Sequence, residues 1–430
     1  MKSNNNAILS HIKNSLYNNL MKKFFLLLIA IVLVTFAVLQ YQKRANSLDT
    51  REKFTFWTIQ LKPVYEKEIN SIIADFEKKH PDYKVIWVDI PIQEAQKRTL
   101  ASILSDTPPD LVNLNPDFSA ILAQKNTLEY FSEEETKQYL PSLINKLKFE
   151  DKIYALPFYA TSSTTIYNKE LFDKCNIKPP TTYDELYNIS PKIYSCVHIP
   201  VFAANINEND TLAKILNKYN IDTLQNEKQI QDAIHIYNMF NSMYKNNFLP
   251  KDILTINHRE VVEKYMSNQA VLIVAGSNFI NMIKQNALDI YNKSALSAQL
   301  TGANGKYDVA LMNLIIPKKA KNKELAREFA FVLTNKENQL KLSHLTNVLP
   351  ANKDALNDNY FKNCPSDIVE QSRCISAKQL KNLNTVQFLE TNKKITNEAI
   401  NKTLEEILLN NSEITKSVDN LSNELKLLWN

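Results

Sequence analysis

The stretch Asp151–Pro191, DKIYALPFYATSSTTIYNKELFDKCNIKPPTTYDELYNISP, constrains this chain more than any other. An apolar run through Ile153 and Ala155 ends at Pro157, which has no amide hydrogen to give to a ladder. Thr161 to Thr165 is rich in hydroxyls and carries no charge. Ile166-Tyr167-Asn168-Lys169 then leads into Glu170, Leu171 and Phe172. Pro179-Pro180 precedes Thr182-Tyr183-Asp184-Glu185, a capping box in which Thr182 caps a helix start and Glu185 reaches back to it. This order describes a strand that leaves one folded body, crosses, and starts a second body whose first helix begins near residue 183.

Upstream, the hydrophobic pattern alternates between strand and helix. Residues 53–58 alternate and are aromatic; 64–79 place Ile69, Ile72, Ile73 and Phe76 at helical spacing; 84–90 are β-branched and apolar. Residues 93–105 read as a helix stopped by Pro108-Pro109, 110–115 as a strand and 117–125 as a helix. Such a βαβαβα order implies a parallel sheet with helices on both faces. Ligands bind these sheets beyond the carboxyl ends of the strands. The rule selects Trp57, Asn115 and Asp117. Trp57 offers a flat apolar face on which a ligand could stack, or is simply a core residue. The polar pair fits hydroxyl recognition, although Asp117 equally suits a helix cap.

Length decides how many such bodies fit: 430 residues allow two domains with sizeable cores. The chain has only three glycines, Gly276, Gly302 and Gly305. Asparagine takes over at turns, since it tolerates the left-handed conformation better than other side chains. The net charge of +5 comes from the first 50 residues, where six basic residues face one acid; beyond them the signs balance at 45 each. No basic stripe for nucleic acid is present.

Phe24 to Leu39 is an uncharged run of 16 residues preceded by Lys22 and Lys23. It reads either as an uncleaved signal anchor over residues 24–41, with 1–23 cytoplasmic, or as a cleaved signal peptide. Met21 is an alternative start. Either way the body is exported. Export permits disulfides among Cys175, Cys196, Cys364 and Cys374; Cys364 and Cys374 either pair or remain free thiols. No metal-ligand spacing appears. Neither a nucleophile elbow, nor a phosphate loop, nor a dinucleotide fingerprint is present. The acids Glu133-Glu134-Glu135 suit a helix start better than a catalytic pair. The chain is therefore not expected to be an enzyme, and no cofactor is implied.

The segments IYALP, YNKELF and PPTTYDEL resemble the crossover of the extracytoplasmic sugar-binding proteins of ABC transporters, the family of maltose-binding protein. Four further passages agree in order: Phe54–Thr58 with the first strand, Pro109–Asn115, Ala270–Phe279, and Asn322–Pro350. The resemblance spans roughly residues 53 to 430. It implies an α/β, two-lobed periplasmic-binding-protein fold of type II, with a mostly parallel sheet in each lobe and an N-terminal hydrophobic helix ahead of them. Lobe 1 would comprise 53–158 with 306–346, and lobe 2 would comprise 159–305 with 347–430, ending in helices. The hinge crossovers would be 157–165, 300–308 and 346–350.

By this resemblance, Tyr159, Thr161 and Ser162 face the cleft at the crossover. Gly276 lets backbone approach a ligand. Asn278 or Phe279 occupies a turn where an aromatic often stacks on sugar, and Asn347 sits near the last crossover. The implied function is solute capture for an ABC permease in the membrane, with the protein a monomer. Carbohydrate is the leading solute and glycerol 3-phosphate another; a sensor partnering a membrane signalling protein is the alternative role.

Overall fold

The structure, a computed structural model, describes residues 31–39, 49–208, 210–346, 348–383 and 393–429. Asn347 and most of the 24–41 segment lie outside them. Residues 31–39 are helical with exposed side chains, and among the described residues no helix is long and apolar enough to cross a membrane.

The chain forms two compact units, one within residues 1–54 and 77–85, the other of residues 55–76 and 86–430. In the first, Arg51 is held on three sides. Its guanidinium donates to Asp49 at 2.7 and 2.9 Å, to Glu77 at 3.0 Å and to the Tyr83 carbonyl at 3.3 Å. The hydrogen bond from Arg51 holds the Asp49 carboxyl at about 2. Burial would raise Glu77, but the Val85 amide, Lys84 and Arg51 outweigh it and lower its pKa.

The second unit carries the sheet. Its strands are β1 (Glu52–Ile59, the part from Thr55), β2 (Tyr83–Ile90, the part from Ile86), β3 (Leu111–Leu114), β4 (Leu156–Asn168), β5 (Phe202–Ala203), β6 (Leu272–Gly276), β7 (Ser294–Ala298), β8 (Val309–Ile315) and β9 (Leu349–Pro350). The order is β2-β1-β3-β8-β4-β6-β5, with β9 and β7 also pairing β4. The pairs β1/β3 and β5/β6 are parallel, and β4 runs antiparallel to all its partners.

β4 covers the stretch that the sequence marks as a crossover, and it changes partners midway. Residues 156–162 pair with β8 and β9; residues 163–168 pair with β6 and β7. Register against β8 slips between Met312 and Asn313, so that Phe158 stands as the extra residue beside Pro157. A bulge suits this place because proline cannot donate to the ladder. The carbonyl of Phe158 is instead taken by the Gln339 side chain.

Helices cover both faces. α1 (Lys62–Lys79) buries Ile69, Ile72, Ile73 and Phe76 on one stripe. Phe56 and Phe76 meet Phe329 of α9 (Lys323–Leu333) at centroid distances of 5.3 and 4.8 Å. α2 (Ile92–Leu104), α3 (Pro116–Gln124) and α4 (Tyr183–Val197) stand where the sequence pattern places them; α5 (Thr211–Asn217), α6 (Glu227–Lys245), α7 (His258–Met266) and α8 (Asn278–Asn286) follow. At α4, Thr182 accepts from the Glu185 amide at 3.0 Å, but Glu185 reaches one residue further back, to the Thr181 amide at 2.7 Å.

α10 (Lys336–Leu345) and α11 (Ile368–Gln379) precede the terminal pair, α12 (Lys393–Asn410) and α13 (Ile414–Trp429). Leu404, Ile407, Leu408, Leu421 and Leu425 of that pair share one core with Tyr237, Phe240 and Met243 of α6. The apolar stripes of the two terminal helices are thus buried against α6.

All four cysteines pair. Cys175–Cys196 and Cys364–Cys374 have Cα separations of 5.9 and 6.2 Å. The first pair, distant in sequence, was not anticipated. Asparagines occupy left-handed positions as expected, among them Asn126 (φ 54°) and Asn176 (φ 49°).

Candidate functional site

Where β4 changes partners, a cavity of about 500 Å³ opens in the second unit. That size falls within the range of about 300–1,000 Å³ usual for small-molecule sites. Thr161, Ser162 and Ser163 of β4 form its floor, with Gly276, Ser277 and Asn278 after β6 on one side. Tyr65 of α1 and Thr346, whose hydroxyls bond at 2.5 Å, stand on another. The remaining wall carries Lys214 of α5 with Asp210 and Lys218, the residues that cap its two ends, at a spacing of four that puts them on one face.

A second cavity of about 260 Å³ adjoins the first; Asp210, Lys214, Asp308, Val309 and Ala310 line both. Asn115, Asp117, Lys146, Lys393 and Asn397 line only the second.

Ion pairs cross these walls. Lys393 at the start of α12 reaches Asp117 at 2.5 Å and Asp210 at 3.2 Å. Lys214 also pairs with Asp210, at 2.7 Å. Lys218, 2% exposed, donates to Asp308 at 2.9 Å and to Gln299 at 2.8 Å. Burial pushes the Lys218 ammonium below its ordinary value although Asp308 opposes the shift. Burial also works against Lys393, yet Asp117 and Asp210 prevail and raise it. The same logic lowers Asp210, where Lys214 and Lys393 outweigh burial.

The structure brings together some of the residues selected from sequence. Thr161, Ser162, Gly276 and Asn278 line the main cavity, and Asn115 and Asp117 line the side cavity. Several already have structural tasks. Asn115 caps α3 by accepting from the Phe118 amide at 2.8 Å. Ser162 accepts from Gln379 at 2.7 Å. A Cβ on Gly276 would lie 2.6 Å from the Asn278 carboxamide oxygen, so the glycine makes room for that side chain.

The others lie elsewhere. Trp57 is half-buried under the Arg98 guanidinium, 5.7 Å from its ring, and lines neither cavity. Alternation along β1 points Phe56 and Thr58 into the core and turns Trp57 toward α2 instead. Tyr159 lines a small void with Tyr65 and Gln339, and burial raises its phenol well above the ordinary value. Phe279 packs on the His258 ring at 4.7 Å; His258, not Phe279, lines the cavity.

Apart from Asp117, the charged residues of the two cavities went unselected. The spacing Asp210-Lys214-Lys218 was a legible signal; Lys146, Asp308 and Lys393 meet only through tertiary contacts. Among the described residues, no three His, Cys, Asp or Glu side chains converge on a point that could hold a metal.

A sequence model described as bacterial extracellular solute-binding protein matches residues 71–366. A protein of Brucella abortus described as a binding protein is 22% identical over 350 residues, covering 77% of this chain and 83% of its own. The galactooligosaccharide-binding protein of Bacillus subtilis is 23% identical, covering 67% of this chain and 71% of its own. Among solved structures, an oligosaccharide periplasmic-binding protein of Synechococcus superposes with a TM-score of 0.77 at 24% identity, covering 86% of this chain and 98% of its own. The sugar-binding protein MalE of Xanthomonas citri gives 0.72 at 17% identity, covering 87% and 96%. The fold is the mixed α/β fold of periplasmic binding proteins.

Proposed function

We propose, from the premise that this chain belongs to the bacterial extracellular solute-binding protein family, that it captures a carbohydrate and delivers it to an ABC permease. The observation that carries this reading is the main cavity. It lies where β4 passes from one set of strands to the other, so a solute held there touches both sides at once. A form closed on the solute is then favoured because only it makes both sets of contacts. Thr161, Ser163, Ser277 and Asn278 supply hydroxyl and amide partners for sugar edges. No bond of the solute is made or broken. Lobe 1 comprises 53–158 with 306–346, and lobe 2 comprises 159–305 with 347–430. The apolar stretch 24–41 holds the exported body near the membrane and raises its local concentration at the permease.

The test is calorimetric titration of the full-length chain, in a non-glycosidic detergent, with mono-, di- and oligosaccharides, glycerol 3-phosphate and amino acids. Saccharide binding that Thr161→Ala and Asn278→Ala weaken supports the reading. Binding of amino acids alone overturns it.

A further inference from the structure

The side cavity contains a cation with nothing to hold. Asp117 is engaged by Lys393, Asp210 by Lys214 and Lys393, and Asp308 by Lys218. Lys146 lines the same space, yet among the described residues its ammonium makes no ion pair or hydrogen bond. It sits in the short turn Asn145–Leu147 and is half-buried. Burial lowers its affinity for a proton; Asp308 and Asp117 pull the other way, Lys214 and Lys393 with it. The side cavity has three lysines and three aspartates; with Lys218 of the main cavity, which is spent on Asp308, the two cavities together hold four lysines against three aspartates.

A second observation concerns acceptors. The carboxamide oxygens of Asn217 and Asn397, which also line the side cavity, are buried and have no hydrogen-bond donor. Buried polar groups are normally satisfied, and leaving them bare is costly. The space therefore presents an unmatched cation next to unmatched acceptors. A sugar ring bearing an anionic substituent complements both: hydroxyls donate to the asparagines, and the anion receives the ammonium in a charge-assisted hydrogen bond.

We propose that the solute is an acidic oligosaccharide that spans both cavities, with its carboxylate- or phosphate-bearing ring in the side cavity on Lys146. The inference rests on the reading of the main cavity as a saccharide site.

Three probes test it on the full-length chain in a non-glycosidic detergent: trigalacturonate, trehalose 6-phosphate and maltotriose. The wild type is expected to bind one anionic probe at least about tenfold tighter than maltotriose, the worth of a charge-assisted contact. Which of the two it prefers separates carboxylate from phosphate. Lys146→Met should erase the preference for the anion and Lys146→Arg should restore much of it. Added sodium chloride should weaken anionic binding selectively, a readout that needs no variant. Maltotriose binding as tightly as both anions, or a preference that survives Lys146→Met, overturns the inference and leaves the saccharide reading standing. Binding of none of the three overturns the inference; a blank across the neutral sugars as well overturns the reading beneath it.

Discussion

Gln379 donates from its side-chain amide to the Ser162 hydroxyl at 2.7 Å, at the residue where β4 gives up one set of partners for the other. The same amide donates to the Ser163 carbonyl at 2.9 Å, and its oxygen accepts from the Gln299 amide at 2.6 Å. Gln379 is 1% exposed. One side chain of α11 thus fixes the midpoint of the crossover and the end of β7. Gln379→Ala leaves several buried groups unpaired at about 1–3 kcal/mol each, and should cost about 3 kcal/mol after partial relaxation. Urea denaturation measures this; a loss under about 1 kcal/mol would show that the clamp matters little.

Gly276 and Trp57 make opposite predictions. Gly276→Ala drives a methyl group toward the Asn278 carboxamide, a flexible end that turns aside rather than unfolding the chain. Displacing a side chain from its rotamer costs enough to weaken saccharide affinity about threefold to tenfold, with melting little changed. Trp57→Phe should leave affinity as it is, because the indole packs against Arg98 away from both cavities. A tenfold loss of affinity in Trp57→Phe would place the indole in the site after all.

The Lys214–Asp210–Lys393 chain sets an acid limit on stability. Asp210 has its pKa lowered from 3.8, so folding releases its proton more readily than the unfolded chain does. Its stabilisation is complete above that ordinary value and fades as the pH falls through the lowered one. Lys393 is raised from 10.5, so its part is complete below that value and fades as the pH rises through the raised one. Melting temperature followed from about pH 3 to 7 should fall less steeply on the acid side in Asp210→Asn than in the wild type. Parallel curves would remove Asp210 as a source of acid sensitivity.

The disulfides close loops with sequence separations of 21 and 10 residues. By chain entropy, each stabilises by about 3 kcal/mol, slightly more for the longer loop. Cys175→Ser with Cys196→Ser, and Cys364→Ser with Cys374→Ser, should each lower the urea midpoint. Reductant should move the wild type toward the quadruple variant and leave that variant unmoved.

The strand β4 and much of the order of elements were legible in local patterns: Pro157 before a hydroxyl-rich run, Thr182 capping α4, Ile69 to Phe76 on one stripe. These depend on short-range rules of capping, periodicity and backbone freedom, which act within a few residues and so are written in consecutive letters. The site was legible only where it borders such elements, as Thr161, Gly276 and Asn278 do. Trp57 shows the limit, since the direction of one side chain on β1 depends on which face the sheet buries. Lys146, Asp308 and Lys393 come from separate parts of the chain. The pairing of Asp308 with Lys218 and of Lys393 with Asp117 and Asp210, and the lone ammonium of Lys146, are decided by burial and by charges brought together across long loops, energies that exist only once the tertiary structure has excluded water.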